Sequence, residues 1–252
     1  LINQTKKSNF FKWLIRRLFN KANVFLAQGE NWKVYANEVL KINSNKIKLV
    51  HNWTAKEEFL KVGKIKNYNI KNRIINFLFV GWLEKEKGVI EILKALKFLD
   101  SKGFKLKFTF IGDGTLMKFS KKFIEDNNLI GKVFLEGWKK PSEMKKYYRN
   151  SDVFVLPSWA EGMPNALIEA LSCGLASIVT DVGMISNYLE DNYSAIILPT
   201  QNVFSLEKAM QELIINKPLR EMISKNGHIV SKQYFSTDKG LESLAKTIKT
   251  LI

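Results

Sequence analysis

The sequence predicts an α/β fold: a doubly wound parallel sheet with helices on both faces. Three observations predict it. Short apolar runs alternate with stretches of helical period along most of the chain, and parallel strands need crossovers of that kind. Runs such as 77–81 (FLFVG) and 153–156 (VFVL) are apolar throughout rather than alternating, as in strands buried on both faces. Glycines gather where a run ends and a helix is due, at Gly81, Gly112, Gly114 and Gly137. In such sheets, ligands bind at those carboxyl ends.

Taken in order, residues 5–21 (TKKSNFFKWLIRRLFNK) form a candidate basic amphipathic helix. Phe11, Leu14, Ile15, Leu18 and Phe19 fall at helical spacing beside Lys12, Arg16 and Arg17. Such a helix either lies on an anionic membrane face or buries its stripe in a domain. Residues 54–76 are polar and rich in Lys and Asn, and read as a connection and surface loop. Strands are then expected at 77–81, 106–111, 132–135, 153–156, 176–180 and 194–198. Helices are expected at about 89–99, 116–127 and 142–149, from Pro164 to Gly174, near Ser186, at 203–215 and at about 217–233. Pro164 suits the first position of its helix, and Gly174 suits the C-cap. A terminal amphipathic helix at 235–252 starts at the N-cap candidates Ser236 and Thr237.

Composition narrows the function classes. Hydrophobic residues make up 46% of the 252, which excludes global disorder. No apolar run reaches the length of a membrane span. One cysteine, Cys173, reads as a buried thiol in a reducing compartment. With only His51 and His228 beside it, a protein-ligated zinc site is disfavoured, and no metal is expected. The net charge is +16 and uneven: residues 1–70 hold 14 Lys and Arg against 4 Asp and Glu, an excess of +10, leaving +6 for the rest. The sign suits nucleic acid, but no recognisable nucleic-acid module is present, and none is expected as a partner.

The most informative stretch is 152–174 (DVFVLPSWAEGMPNALIEALSCG). A helix start facing the carboxyl end of a strand is an anion site, because free N–H groups and the helix dipole point there. Glu169 lies five residues past Pro164, roughly 7 Å along the helix axis at ~1.5 Å per residue. That is about the separation of a diphosphate from the ribose of one nucleotide, and a carboxylate there accepts both ribose hydroxyls. Glu161, in the turn, would face the opposite end of the ligand, where a sugar would sit. The two carboxylates together suit a nucleotide-sugar site. Met117 stands where a dinucleotide fingerprint needs its third glycine, which argues against NAD.

The segment EGMPNALIE (161–169) resembles the Glu-x7-Glu signature of glycosyltransferase family 4, the retaining enzymes of the GT-B fold. FLFVGWLEKEKGVIEILKAL (77–96), FTFIGDG (108–114), VFLEGWKKPSEMKKYYRNSDVFVLPS (133–158) and LASIVTDVGMISNYLEDNYSAIIL (175–198) resemble further parts of that pattern in the same order. Residues 22–40 and 46–53 resemble the last strands and helix of the family's preceding acceptor domain. The resemblance covers about 45–235. It implies a Rossmann-like donor domain at 77–234, the tail of a second Rossmann-like acceptor domain at 1–60, a linker at 61–76 and a terminal helix at 235–252 that braces the acceptor domain. It also implies an amino-terminally incomplete glycosyltransferase. Its activity would be transfer of a sugar from a nucleoside diphosphate sugar to a glycan or lipid-linked acceptor with retention, in cell-surface polysaccharide or glycolipid assembly. The expected location is cytoplasmic, peripheral on the inner membrane face through residues 5–21.

By the same resemblance, Lys87 contacts the donor diphosphate, Glu169 the ribose and Glu161 a sugar hydroxyl. Gly81, Gly112 and Gly114 permit close backbone approach near phosphate and nucleotide. Gly137 contacts the base, and Gly162, Met163, Pro164 and Asn165 offer backbone amides. No further cofactor is implied. Trp82 departs from the family's usual Arg, the second diphosphate contact; Met184 and Asn187 replace a second glycine and a glutamate. A degenerate non-catalytic binding module and a nucleotide-sugar epimerase of the same fold are the alternative readings.

Overall fold

The computed structural model describes residues 9–50, 52–64 and 74–249. Residues 5–8 of the basic helix, His51, residues 65–73 of the expected linker and residues 250–252 of the terminal helix lie outside it. The chain divides into two compact units, 54–236 and a smaller one made of 1–53 with 237–252.

The larger unit is built on six parallel strands in the order β5-β4-β3-β6-β7-β8. These are β3 (Ile75–Val80), β4 (Leu106–Ile111), β5 (Val133–Leu135), β6 (Val153–Leu156), β7 (Ala176–Thr180) and β8 (Ile196–Leu198). The order runs outward from the β3/β6 pair in both directions, the doubly wound arrangement that the alternating pattern predicts. The central strands β3 and β6 are almost wholly apolar because both faces are covered. Phe77, Phe79, Phe108, Phe110 and Phe154 are completely buried. Register places Phe77 beside Phe108 and Phe79 beside Phe110, with ring centroids 6.1 and 5.5 Å apart. Truncating one of these rings to alanine costs about 3–5 kcal/mol.

The helices of this unit are α3 (Glu57–Lys64), α4 (Val89–Ser101), α5 (Met117–Asp126), α6 (Pro141–Asn150), α7 (Asn165–Ser172), α8 (Ile185–Tyr188), α9 (Val203–Ile215) and α10 (Lys217–Phe235). Asn202 and Asn216 cap α9 and α10, each accepting a backbone N–H at 2.9 and 3.0 Å respectively. Pro164 sits one residue outside α7, because its ψ of 126° keeps it extended. Gly174 takes the left-handed conformation (φ 68°) just past the end of α7.

Helix α3 corrects the sequence reading of 54–76 as loop. Phe59, Leu60 and Val62 are buried, and Glu57 and Glu58 sit in the first turn, where the helix dipole favours anions. Three apolar residues among lysines give a weak period, and packing on the large unit decides the helix.

The smaller unit holds α1 (Asn9–Phe19), the parallel pair β1 (Phe25–Ala27) and β2 (Ile47–Leu49), α2 (Glu30–Val34) with a wide turn at Tyr35–Val39, and α11 (Thr237–Lys249). Its core gathers Ile15, Ala27, Ala36, Leu40, Ile42 and Ile47. Thr237 Oγ1 donates to the Trp53 carbonyl at 3.3 Å, and Ser243 Oγ to that of Leu49 at 3.2 Å, so α11 lies on the segment after β2. Of the apolar stripe on α1, Ile15 is buried, but Leu18 is 59% exposed, as are Phe10 (70%) and Trp13 (51%). The helix therefore shows aromatic rings outside the expected stripe.

Candidate functional site

A cavity of about 310 Å³ opens at the carboxyl ends of β3 and β4, within the usual range of ligand pockets. Glycines form its floor. Gly81 N donates to Ile111 O at 3.0 Å and Gly112 N to Gly137 O at 2.9 Å, which ties the three strand ends together. Gly112 has φ 131°, and a Cβ there would collide with the Gly81 carbonyl, so only glycine permits this approach. Trp82 and Trp138 stand at the rim, 64% and 65% exposed.

Glu169 reaches this cavity from α7. Burial raises its pKa; the Tyr148 hydroxyl and the Lys56 charge work in the opposite direction. Tyr148 is completely buried and donates to Glu169 Oε2 at 2.9 Å. Burial beside that carboxylate drives its own pKa well up, so it remains a donor. Tyr148 and Met144 share the inward face of α6, one turn apart, and the Tyr148 ring meets Phe59 of α3 edge-on at 5.7 Å. Helices α3 and α6 thus hold the carboxylate from outside the sheet.

Lys87 and Glu161 meet outside the cavity lining. Lys87 Nζ lies 2.6 Å from Glu161 Oε1, with side chains 27% and 12% exposed. Ser158 Oγ donates to the same oxygen at 2.8 Å. Lys87 ends the short 3-10 turn Lys85–Lys87, and Gly88 follows in the left-handed region (φ 73°) against Pro157. The Glu161 turn is held on its other side by Gly183, where a Cβ would collide with the Glu161 and Gly162 carbonyls, and by Met184 N donating to Gly162 O at 3.0 Å. Met184, which departs from the family pattern, therefore still supports the turn through its backbone.

Of the sequence-predicted residues, Gly81, Gly112 and Glu169 line the cavity, while Lys87 and Glu161 pair with each other and are not part of its lining. Gly114 packs on the Leu83 carbonyl and Glu84, in a loop where the Thr115 hydroxyl donates to Glu84 Oε2 and Thr115 N to Glu84 Oε1 at 2.8 Å; those Thr115 bonds hold the Glu84 pKa down. Gly137 follows β5 with φ 69°. Gly162 is exposed, Met163 is buried, and Pro164 and Asn165 form the start of α7. Sequence reasoning missed Lys56, Tyr148, Asp113 and Lys139, which line the cavity or hold Glu169. The Met144–Tyr148 spacing in a charged helix was the one available signal. Among the described residues, no cluster of three or more His, Cys, Asp or Glu is placed to hold a metal ion.

Comparison with known proteins agrees with this fold. Residues 63–230 match the family described as Glycosyl transferases group 1. The chain is 32% identical over 219 residues to an uncharacterized glycosyltransferase of Methanocaldococcus jannaschii, covering 83% of this chain and 60% of that protein. It is 29% identical over 195 residues to the UDP-Gal:alpha-D-GlcNAc-diphosphoundecaprenol alpha-1,3-galactosyltransferase of Escherichia coli, covering 74% of this chain and 50% of that one. The crystal structure of a glycosyltransferase from Rickettsia africae superposes with a TM-score of 0.80 at 18% identity, over 96% of this chain and 67% of that one. The chain spans about half the length of the curated relatives it matches.

Proposed function

The chain belongs to the glycosyl transferases group 1 family, and on that premise we propose that the cavity is the donor site of an enzyme that transfers a sugar from a nucleoside diphosphate sugar. The observation that carries this reading is Glu169: a carboxylate fixed by a buried tyrosine, facing a cavity floored by glycines at the strand ends. A glycine floor admits phosphate to the backbone, and a half-buried carboxylate held by Tyr148 is placed to accept from two vicinal hydroxyls. Lys87 and the amino end of α7 neutralise the diphosphate, so a resident metal has no part in this scheme.

In the proposed reaction, the bond from the anomeric carbon to the diphosphate breaks as the acceptor hydroxyl bonds to that carbon. The hydroxyl proton passes to a phosphate oxygen on the same face, which gives retention. Lys87 stabilises the growing charge, and Glu161 holds a sugar hydroxyl. The named activity of the Escherichia coli relative, with UDP-galactose and a diphosphoundecaprenol-linked sugar, supports a glycan or lipid-linked acceptor in cell-surface polysaccharide assembly. The exposed Phe10, Trp13 and Arg17 of α1 support attachment to an anionic membrane face on the cytoplasmic side. Trp82, standing where the family has Arg, favours one rival: a module that binds donor without transferring it.

A panel of UDP-, GDP- and ADP-sugars, read as thermal shift, tests the proposal. One nucleotide class should raise the unfolding midpoint by several degrees, as ligand at a hundred times its Kd adds ~2.7 kcal/mol. No shift from any donor would contradict it. Binding without turnover on any lipid-linked acceptor would favour the module.

A further inference from the structure

The loops that carry Lys87 and Glu161 come from different strands, after β3 and after β6, and are joined by more than that ion pair. Trp159 N donates to Glu86 O at 2.8 Å. The Trp159 indole Nε1–H donates to Glu91 Oε1, in the first turn of α4, at 3.1 Å. Lys85 Nζ stands 5.3 Å from the centre of the Trp159 ring. Glu91 is 8% exposed, and its second oxygen, Oε2, is enclosed with no hydrogen-bond partner. A buried carboxylate with one oxygen unsatisfied is unfavourable for stability. Folding alone does not require it, since a leucine fills the same space, and this points to a role in placement.

We propose that Trp159, backed by Glu91, is a positioning residue that fixes Lys87 and Glu161 as one unit. The indole is the only side-chain bridge among the described hydrogen bonds from the loop 157–162 to α4. Its backbone N–H binds the peptide one residue before Lys87, and its ring is two residues before Glu161. Displacing the ring therefore moves both charges. Preset in this way, the two loops need not move to meet a donor: only the ion pair opens, Glu161 releasing Lys87 to the diphosphate while keeping the Ser158 hydroxyl. The structural claim stands on these contacts alone. Its consequence for donor binding rests on the function proposed above.

Two readouts separate them. The first is the rate at which acetic anhydride modifies Lys87, measured by mass spectrometry against the exposed Lys105. In the native chain Lys87 is protected by Glu161. Trp159→Phe and Glu91→Leu should each speed its modification about tenfold, the effect of losing one hydrogen bond to a charged group. Glu91→Gln keeps an acceptor for the indole and should stay near the native rate. The double variant Trp159→Phe/Glu91→Leu should be no faster than either single one, because both remove the same bond. Rates unchanged in both single variants would overturn the proposal, as would full additivity.

The second readout is the ratio of affinities for nucleoside diphosphate and nucleoside diphosphate sugar. Trp159→Phe should leave diphosphate binding within about twofold but reduce the extra affinity given by the sugar. An unchanged ratio would overturn the role in donor placement. If the native chain binds neither ligand, the functional reading falls and the labelling result still decides the positioning claim. Glu91→Gln, as the conservative variant, guards against loss of fold.

Discussion

At the scale of single residues, Glu169 carries the most information. Burial raises its pKa, so the folded chain holds the proton more tightly than the unfolded chain. The sign follows: the group favours folding below the ordinary glutamate pKa, and that contribution is lost as pH rises through the raised value. At neutral pH the ionised carboxylate thus lowers stability, which marks a residue kept for its chemistry. Glu169→Gln keeps an acceptor for Tyr148 and should raise the unfolding midpoint at pH 7 while leaving it unchanged at pH 3. On the proposed function, the same titration governs nucleotide binding. Nucleotide affinity should fall on acidification at a pH above that of an ordinary glutamate, and Glu169→Gln should show weak binding with no such step. An affinity profile flat between pH 7 and pH 4.5 would contradict the assignment. The motif itself was legible in the sequence, as the two carboxylates eight positions apart. Its surroundings were not: the Tyr148 hydroxyl reaches Glu169 from α6, and the Lys56 charge acts on it from just before α3, and sequence spacing does not encode contacts between elements distant in the chain.

At the scale of elements, the strands 106–111, 153–156 and 176–180 and the helix 203–215 coincide with their predicted spans. They were legible because burial on both faces, or one long amphipathic face, leaves a strong pattern. The helix α3 was not, since three buried side chains in eight residues sit among charges, and its stability comes from contacts with the larger unit. Helix α1 was read correctly as a basic helix, but which residues face out was not, because Phe10 and Trp13 flank the stripe rather than belong to it. Their rings stack at 6.1 Å, and Arg17 lies 5.5 Å from the Trp13 ring, an arrangement that suits the interface of an anionic bilayer. The chain should therefore sediment with vesicles rich in phosphatidylglycerol and not with phosphatidylcholine vesicles. Trp13→Asp combined with Arg17→Asp should weaken this at least tenfold, since each cation near the surface contributes ~1 kcal/mol and the ring more. Equal binding to neutral vesicles, or none to either, would contradict the membrane role of α1.

At the scale of the whole molecule, the family match, the parallel sheet and the cavity at its carboxyl edge agree. The alternation of strands and helices made that sheet predictable, and the rule that ligands sit at strand ends pointed to the edge where the cavity opens. Positive charge near the cavity is less concentrated than the family pattern implies, with Trp82 at the rim and Lys87 paired with Glu161. On the proposed function, ribose recognition by Glu169 would then take a larger share of the binding energy. The most direct test is calorimetric titration of the intact chain and of Glu169→Ala with the nucleoside diphosphate sugar that shifts the melting midpoint. The account predicts one-to-one binding by the native chain and at least a tenfold loss in Glu169→Ala, about 1.4 kcal/mol or more. Equal affinity in the two folded proteins would place the nucleotide elsewhere and contradict the account.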